Sequence, residues 1–568
     1  MKSWLNDCKP MNKTRLNLLL VFVLALSGVL VFRLYQIQVV EADHWKEQAE
    51  RQQRIHSEVE GGRGSVFAQN KDGESIPLAI NRVWKMAYIA PREIIREEED
   101  KEEIASSLSL ILDLEEESIM RRMKRKDSSF EVLKRQLSDE EVEEINKLDY
   151  SGVHLREDEQ RFYPQRSLAS HVTGFVGGTG VGQYGVEGYY NDLLQGMSGI
   201  REGWRRNPGG TIITEDTAQM GMSIDLTIDY NIQFMAERLL AEGVEETGSV
   251  SGTIIVGDPA TGEILALTNY PTFDPNNYRE SNLGVFKNNA VQSLFEPGSV
   301  FKPIVMAMGI EEGEVSPQDT YKDEGYERVS GHTLRNYGQR IHGDVTMTEV
   351  MERSINTGMV YVQQQLENQV FLDYLEELGY FEKTGIDLQG EVYSENRVFK
   401  QGYDVNFANA SFGQGIEVTP IQLLSSFYAL ANGGELVKPY ITDNFDPEPG
   451  KEGRIFSSAT TSKITSMLIS TVEEGTARRA KIPGYYLAGK TGTAQIPWSV
   501  LGENRRGYSG ETIQTFIGYG PLNAEFVILV SMNQPDVPTA EVSVVPVFRD
   551  LASYIIDYKQ IPPDYARD

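Results

Sequence analysis

The sequence predicts an apolar anchor followed by two globular units, the second a mixed α+β domain spanning about 340 residues from Met222 to Gln560. Three observations carry this. An uncharged apolar run, Leu16 to Phe32, stands near the N-terminus. From Met222 onward, β-branched runs bounded by turn residues occur at both ends of a stretch with helical spacing. Between the two lie charged helical segments and then a Gly- and aromatic-rich stretch. At 568 residues the chain is too long for one ordinary domain, which fits two units behind the anchor.

The anchor comes first. Leu16–Phe32 counts 17 residues between Arg15 and Arg33, near the short end of the roughly 17–25 that span a bilayer. Leu34 and the aliphatic stem of Arg33 extend it, so a short cytoplasmic tail over 1–15 and an anchor over 16–34 are expected. Ala25-Leu26-Ser27 has the small residues of a signal-peptide cleavage site. The apolar run nevertheless continues through Val29-Leu30-Val31-Phe32, which favours an uncleaved anchor over a cleaved signal, and no Cys follows to make a lipoprotein. Lys2, Lys9, Lys13 and Arg15 precede the run while Arg33, Lys46 and Arg51 follow it, so the positive-inside bias is slight.

Beyond the anchor, Trp45 to Val59 reads as a polar helix ended by Gly61-Gly62-Arg63-Gly64. From Glu93 to about Leu148, Leu and Ile recur at helical intervals, and the charge run Glu98 to Glu103 reads as a solvated helix face. Tyr163 to Gly210 reads as turns and short strands. These segments make up a first unit over 35–215, and a second is expected over 220–560. Within the second, Leu226-Thr227-Ile228-Asp229 reads as a strand entering a helix of Ile232, Met235, Ala236, Leu239 and Leu240. Thr253–Val256 and Ile264–Leu267 read as a hairpin joined by Asp258-Pro259-Ala260-Thr261-Gly262. Gln514–Tyr519 and Phe526–Ser531 are strand-like, and Val545–Tyr558 is a terminal helix with Val547, Leu551, Tyr554 and Ile555 on one face.

Composition narrows the chemistry. Apolar residues make up 40% and charged residues 24%, the proportions of a globular chain. A net charge of −29 argues against nucleic acid, which is bound through Lys and Arg clusters, and otherwise describes a solvated surface. The single Cys8 allows no intrachain disulfide. Six His residues form no H-E-x-x-H or Cys/His cluster, and His332 and His342 read as loop or surface positions, so no metal and no cofactor are expected. Gly180-Val181-Gly182-Gln183-Tyr184-Gly185 fits G-x-G-x-x-G. A dinucleotide site also needs a second apolar strand, and Gly196 to Gly210 is polar and Gly-rich instead.

Three short motifs of the second unit carry the chemistry. Ser299-Val300-Phe301-Lys302 follows Gly298 and precedes Pro303 and the apolar run Ile304–Met308. This predicts Ser299 at a helix start, with Lys302 one turn on along the same face. A serine needs an adjacent base to become a nucleophile, and a desolvated lysine can be that base. Ser354-Ile355-Asn356 lies 55 residues further on, and Lys490-Thr491-Gly492-Thr493 a further 136. Gly489 and Gly492 are expected to leave that strand bare for a substrate backbone, with the ammonium and hydroxyls suited to a carboxylate. Each motif alone is weak; in this order and at these intervals they are strong.

The set S-x-x-K, S-x-N and K-T-G is shared by class A β-lactamases and penicillin-binding proteins, and the chain resembles the monofunctional, class B, penicillin-binding proteins along nearly its whole length. Leu226-Thr227-Ile228-Asp229, Asp258 to Ile264, Tyr270-Pro271-Thr272-Phe273-Asp274-Pro275-Asn276, Gly413-Gln414-Gly415-Ile416, Asn432-Gly433-Gly434 and Gly475-Thr476-Ala477 are similar to family phrases. Arg161-Phe162-Tyr163-Pro164, Gly185-Val186-Glu187 and Gly196-Met197-Ser198-Gly199 resemble the class B pedestal. No glycosyltransferase motif of the bifunctional class is present. Ile355 replaces the usual middle Ser, and Arg63-Gly64-Ser65-Val66 is followed by Phe67-Ala68-Gln69-Asn70 where relatives have Asp-Arg-Asn-Gly.

The resemblance implies an antiparallel five-stranded sheet with helices on both sides, on an elongated pedestal behind one membrane helix, with the catalytic unit outside the cytoplasmic membrane. It implies that Ser299 attacks the D-Ala–D-Ala bond of a peptidoglycan stem peptide with neutral Lys302 as base. Ser354 would relay a proton, Asn356 would hold Lys302 and the substrate amide, and Lys490, Thr491 and Thr493 would bind the terminal carboxylate. Backbone N–H groups of Ser299 and Thr493 would form the oxyanion hole, and an acceptor amine would resolve the acyl-enzyme. β-Lactams and a polytopic glycosyltransferase of the SEDS type are the implied partners. A β-lactam receptor or β-lactamase, and a non-catalytic scaffold, are the alternatives. The sequence leaves open whether elongation, division or sporulation is served.

Overall fold

The computed structural model describes residues 13–59, 61–97, 100–148, 150–206, 210–443 and 451–566; Cys8 and most of the expected tail lie outside them. The chain divides into two units, one of residues 1–62 with 196–221 and one of residues 63–195 with 222–568. In the first, an α-helix Lys13–Tyr35 continues through one wide turn to Val40, long and apolar enough to cross a membrane, with its aliphatic side chains exposed. The polar helix expected to reach Val59 stops at Gln53, and Arg54–Val59 is a strand. It pairs with Gly199–Arg206, which pairs in turn with Gly210–Asp216. A partner some 140 residues away decides that strand, and local spacing carries no trace of it.

The N-terminal part of the second unit is a sheet in which Ser75–Ile89 pairs along Val153–Phe162, with Val66–Gln69 and Glu131–Lys134 as further neighbours. Sequence spacing over 93–148 is helical, and four helices form there, but Glu131–Lys134 is drawn into the sheet by its pairing with Ala87–Ile89. The helices bury Ile94, Ile104, Leu108, Leu112, Ile119 and Met123 in a core of their own. Ile224–Asp229 adds to the sheet in parallel beside Val66–Gln69, so the second part of the chain is rooted in the first. Gly180–Gly185 contributes a two-residue strand and a helix start, with no βαβ unit around it.

Glu187 is fully buried between two arginines. Arg63 donates from Nε at 2.7 Å and reaches the same oxygen with its terminal nitrogen at 2.6 Å, and Arg161 Nε reaches the other oxygen at 2.6 Å. Arg161 also donates to the Gly64 carbonyl at 2.7 Å, so the triad ties three distant segments together. Glu187→Ala leaves two guanidiniums without their counter-charge, which costs about 3–5 kcal/mol. Chemical denaturation of the soluble portion should show that loss, whereas breaking a solvent-exposed ion pair such as Lys85–Glu157 should leave stability almost unchanged.

The C-terminal part of this unit includes, in chain order, α1 (Tyr230–Thr247), β1 (Ser251–Gly257), β2 (Ile264–Tyr270), α2 (Lys302–Glu311), β3 (Tyr326–Val329), β4 (His332–Arg335), α3 (Asn356–Gln365), β5 (Ala488–Pro497), β6 (Tyr508–Gly520), β7 (Phe526–Asn533) and α4 (Ala540–Lys559). Asp229 starts α1 by accepting from the Asn231 and Ile232 N–H groups, which relieves two orphan donors. The sheet order is β2-β1-β7-β6-β5, every pair antiparallel, as the resemblance implies. α1 and α4 cover one face, burying Ile232, Ala236, Leu240, Val544, Phe548 and Leu551 against Ile254, Phe516 and Val530. The other face carries the larger core around α2, including Val300, Phe301, Ile304 and Val305 against Ile517 and Leu529. β5 is an edge strand, and the three motifs meet beside it.

Candidate active site

Ser299 does not begin an α-helix. It sits in a single 3₁₀ turn, Gly298–Phe301, and α2 starts at Lys302 with Pro303 in its first turn, where the missing N–H costs nothing. The turn is pinned from behind. Gly298 has φ of 61°, and its N–H donates to the Gly413 carbonyl at 2.9 Å. A side chain at Gly413 would lie 2.1 Å from the Gly298 oxygen, so only glycine permits this approach. The Ser299 hydroxyl makes no hydrogen bond to any described residue and is only partly buried.

Lys302 is fully buried. Its Nζ donates to the Ser354 carbonyl at 2.7 Å, to Asn356 Oδ1 at 2.8 Å and to Ser354 Oγ at 3.2 Å. Asn356 opens α3, and its Nδ2 donates to the Arg335 carbonyl at 3.2 Å, which fixes which way the amide faces. Ser354 has φ of 56°, a left-handed conformation that costs a non-glycine residue about 1–2 kcal/mol. The strained turn aims both its carbonyl and its hydroxyl at Lys302. From the opposite side Lys490 Nζ donates to the same Ser354 Oγ at 3.0 Å. One hydroxyl thus lies between two buried amines.

Neither amine is surrounded by carboxylates, and that governs their charge. Burial, then the neighbouring Lys490, holds Lys302 well below the ordinary lysine range. Burial brings Lys490 down to about 7. A neutral Lys302 has two N–H bonds and one lone pair. If the N–H bonds go to the two shortest contacts, the Ser354 carbonyl and Asn356 Oδ1, the lone pair is left for a hydroxyl proton. The expectation that Lys490 stands as a plain cation needs adjustment, because no carboxylate among the described residues pairs with it. Burial alone sets that shift, so both charge states of Lys490 lie within reach near pH 7.

The strand glycines act differently from the sequence reading. A side chain at Gly489 would strike the Phe516 ring at 2.4 Å. One at Gly492 would lie 3.0 Å from the Pro297 carbonyl and from Val300. Both glycines let β5 pack closely, Gly492 against the Ser299 turn itself. Thr491 is buried, with its hydroxyl 3.1 Å from that of Thr476, while Thr493 is partly exposed on the edge strand.

Several supporting residues were not assigned a role from sequence. Beneath the Ser354–Asn356 turn, Asp323 accepts from Thr357 Oγ1 at 2.8 Å, from Asn336 Nδ2 at 3.0 and 2.9 Å, and from the Gly325 and His342 N–H groups at 2.8 Å each. Burial pushes its carboxyl up, but these donors outweigh burial and hold it below the usual range. Glu296, three residues before Ser299, accepts from Tyr508 Oη at 2.9 and 3.1 Å, and burial raises its carboxyl to about 7. Only Gly475-Thr476-Ala477 stood out in the sequence, as a phrase without a role. Thr357, Asn336 and Asp323 are brought together across intervals of up to 34 residues, which no local pattern signals.

Comparison with known proteins follows the same lines. Residues 252–553 match the model of the penicillin-binding protein transpeptidase domain, and residues 58–226 that of the penicillin-binding protein dimerisation domain. The chain is 32% identical over 541 residues to stage V sporulation protein D of Bacillus subtilis, covering 91% of this chain and 81% of that protein. It is 30% identical to a peptidoglycan D,D-transpeptidase FtsI homolog of Mesostigma viride, covering 97% and 98%. To peptidoglycan D,D-transpeptidase FtsI of Escherichia coli it is 27% identical, covering 97% and 92%. Among solved structures, penicillin-binding protein 2X of Streptococcus thermophilus shares the fold with a TM-score of 0.70 at 21% identity, over 89% of this chain and 80% of that one. Penicillin-binding protein 3 of Mycobacterium tuberculosis, in complex with aztreonam, does so with 0.66 at 24% identity, over 90% and 98%.

Proposed function

The chain belongs to the penicillin-binding proteins of class B, with a transpeptidase domain on a dimerisation-type domain, and from that premise we propose that Ser299 is the nucleophile of a peptidoglycan D,D-transpeptidase. The observation that carries this reading is the Ser354 hydroxyl held between the Nζ atoms of Lys302 and Lys490, beside the turn that bears Ser299.

On this reading neutral Lys302 takes the Ser299 proton as Oγ attacks the penultimate D-Ala carbonyl. The amide C–N bond breaks, Ser354 passes a proton to the leaving amine, and D-Ala departs. Asn356 orients Lys302 and the substrate amide. The terminal carboxylate of the donor supplies a counter-charge to Lys490, and its binding raises the lysine towards full protonation. Thr491 and Thr493 complete that contact, with Gly492 setting the distance of β5 from the nucleophile. Backbone N–H groups of Ser299 and Thr493 take the developing oxyanion, each worth about 3–4 kcal/mol in comparable sites. An amine of a second stem peptide then resolves the ester, and no cofactor enters.

Residues 16–34 serve as the anchor, 35–215 as the pedestal and 220–560 as the catalytic domain, which acts outside the cytoplasmic membrane because its substrate is there. A SEDS-type polymerase is the fitting partner for a chain without a glycosyltransferase motif. The test is a time course of penicillin consumed per enzyme molecule. A burst near one equivalent followed by near silence is expected, since a transpeptidase gains by excluding water from its acyl-enzyme. Rapid multiple turnover would make the chain a β-lactamase, and no consumption at all would leave it a scaffold.

A further inference from the structure

The β3–β4 hairpin is the most chemically distinct surface that the proposed reaction does not use. Its strands join at Ser330-Gly331, both at positive φ, the two-residue turn that suits a twisted hairpin. The register sets Tyr326 opposite Arg335 and Arg328 opposite Thr333, so these four side chains share one face. Glu327, Val329, His332 and Leu334 share the other. That second face turns inward: Val329 is buried, Leu334 packs on the core, and Glu327 accepts from Tyr321 Oη at 2.6 Å.

The first face is open and carries cations. Tyr326, Arg328, Thr333 and Arg335 are all exposed, and the two guanidiniums lie 5.6 and 5.9 Å from the Tyr326 ring centre. Neither they nor Arg340 makes an ion pair with any described residue, in a chain whose net charge is −29. The nearby acids have partners of their own. Glu324 pairs with Lys322 at 3.8 Å, Asp404 accepts from Ser330 at 3.0 Å and from Asn368 at 3.1 Å, and Asp323 is spent on its buried network.

The face is also fixed to the catalytic centre. The Arg335 carbonyl accepts from Asn356 Nδ2, and the next residue, Asn336, is buried with its amide bound to Asp323 and to the Arg340 carbonyl at 3.1 Å. A ligand at the Lys302–Asn356 site that extended along β4 would meet two arginines already in place. We infer that this face binds the side carboxylates of a stem peptide held at the catalytic centre, with Arg328 and Arg335 as the specificity-determining residues and Tyr326 packing against the peptide.

Charge complementarity selects the occupant. Guanidinium takes carboxylate in a bidentate fork, and a stem peptide carries free carboxylates besides the terminal one assigned to Lys490. Benzylpenicillin carries a single carboxylate, which leaves it nothing for the hairpin. The inference rests on the transpeptidase reading, and one set of measurements separates the two.

The full chain is assayed with two thioester donor peptides that differ only in one side carboxylate, free in one and amidated in the other, and in parallel with benzylpenicillin. The wild type should prefer the free carboxylate by about tenfold in kcat/KM, as befits two exposed charge-assisted contacts. The double variant Arg328→Gln, Arg335→Gln keeps the 335 carbonyl. It should lose that preference by slowing the free-carboxylate donor alone, with benzylpenicillin acylation within about twofold of wild type. No preference in the wild type, a preference surviving in the variant, or an equal loss for both donors and the drug would each overturn the assignment. Inhibition of both donors alike by poly(glycerol phosphate), without a preference between them, would overturn it in favour of an anionic polymer. Failure of the wild type to be acylated by benzylpenicillin would overturn the transpeptidase reading itself, and the inference with it.

Discussion

Replacing Ser299 by alanine should abolish covalent labelling by a fluorescent penicillin while leaving the unfolding midpoint nearly unchanged. Acylation is lost entirely because no other described hydroxyl stands on the Gly298–Phe301 turn ahead of Lys302. Stability is spared because the Ser299 hydroxyl makes no hydrogen bond to a described residue and leaves no buried cavity when removed. Changes of that kind fall within about 0.5 kcal/mol. Gel fluorescence after incubation with the probe, beside a thermal melt of the same preparation, reads both effects. A labelled Ser299→Ala protein would remove Ser299 from the mechanism. An unlabelled protein whose melt has collapsed would mean that the residue is structural.

Exchanging each lysine for arginine should divide their roles. Arginine at 302 stays charged, since guanidinium does not give up its proton in a protein, and so it offers no lone pair to Ser299. The acylation rate constant should fall by about 10²–10⁴, the usual contribution of a positioned base. At 490 a fixed cation still meets a carboxylate, so Lys490→Arg should lose less. The pH profile gives the sharper contrast. In the free enzyme Lys490 is pushed down to about 7, so the form competent to bind an anion is lost as pH rises through that value. Efficiency should therefore decline above about pH 7 in the wild type, whereas Lys490→Arg should hold its efficiency there. Lys302 is held well below the ordinary lysine range by burial, then by Lys490, so the neutral form that a base role needs is lost as pH falls. Equal losses in the two variants, or an unchanged alkaline limb in Lys490→Arg, would contradict the division.

The fold of the catalytic part was legible wherever local pattern and tertiary demand agree. The hairpin of β1 and β2, the entry into α1 at Asp229, β6, β7 and α4 all carry their period or their turn residues in the sequence. The membrane-length helix was equally plain, since a run of 17 uncharged, mostly apolar residues needs no partner to be recognised. Strand Arg54–Val59 was not, because it exists through pairing with Gly199–Arg206 and is polar enough to read as helix. The same holds for Glu131–Lys134 among its helical neighbours.

By itself the sequence determined which residue types are available for chemistry. A serine and a lysine one turn apart, a Ser-x-Asn and a Lys-Thr-Gly-Thr in fixed order are one-dimensional facts, and the structure brings Lys302, Ser354, Asn356 and Lys490 together while adding Asp323, Asn336, Thr357 and Glu296 around them. Tertiary structure alone decided what those residues are like. The left-handed turn at Ser354, the shared hydroxyl between two amines and the lowered proton affinity of Lys302 come from burial and from contacts across 52 to 136 residues. A lysine's proton affinity depends on the water and charges around it, and a sequence lists neither. For the same reason Gly492 read as a bare place for substrate until packing showed it against the Ser299 turn. The two faces of the β3–β4 hairpin likewise became distinct only once register and burial had sorted the inward Glu327 from the outward arginines.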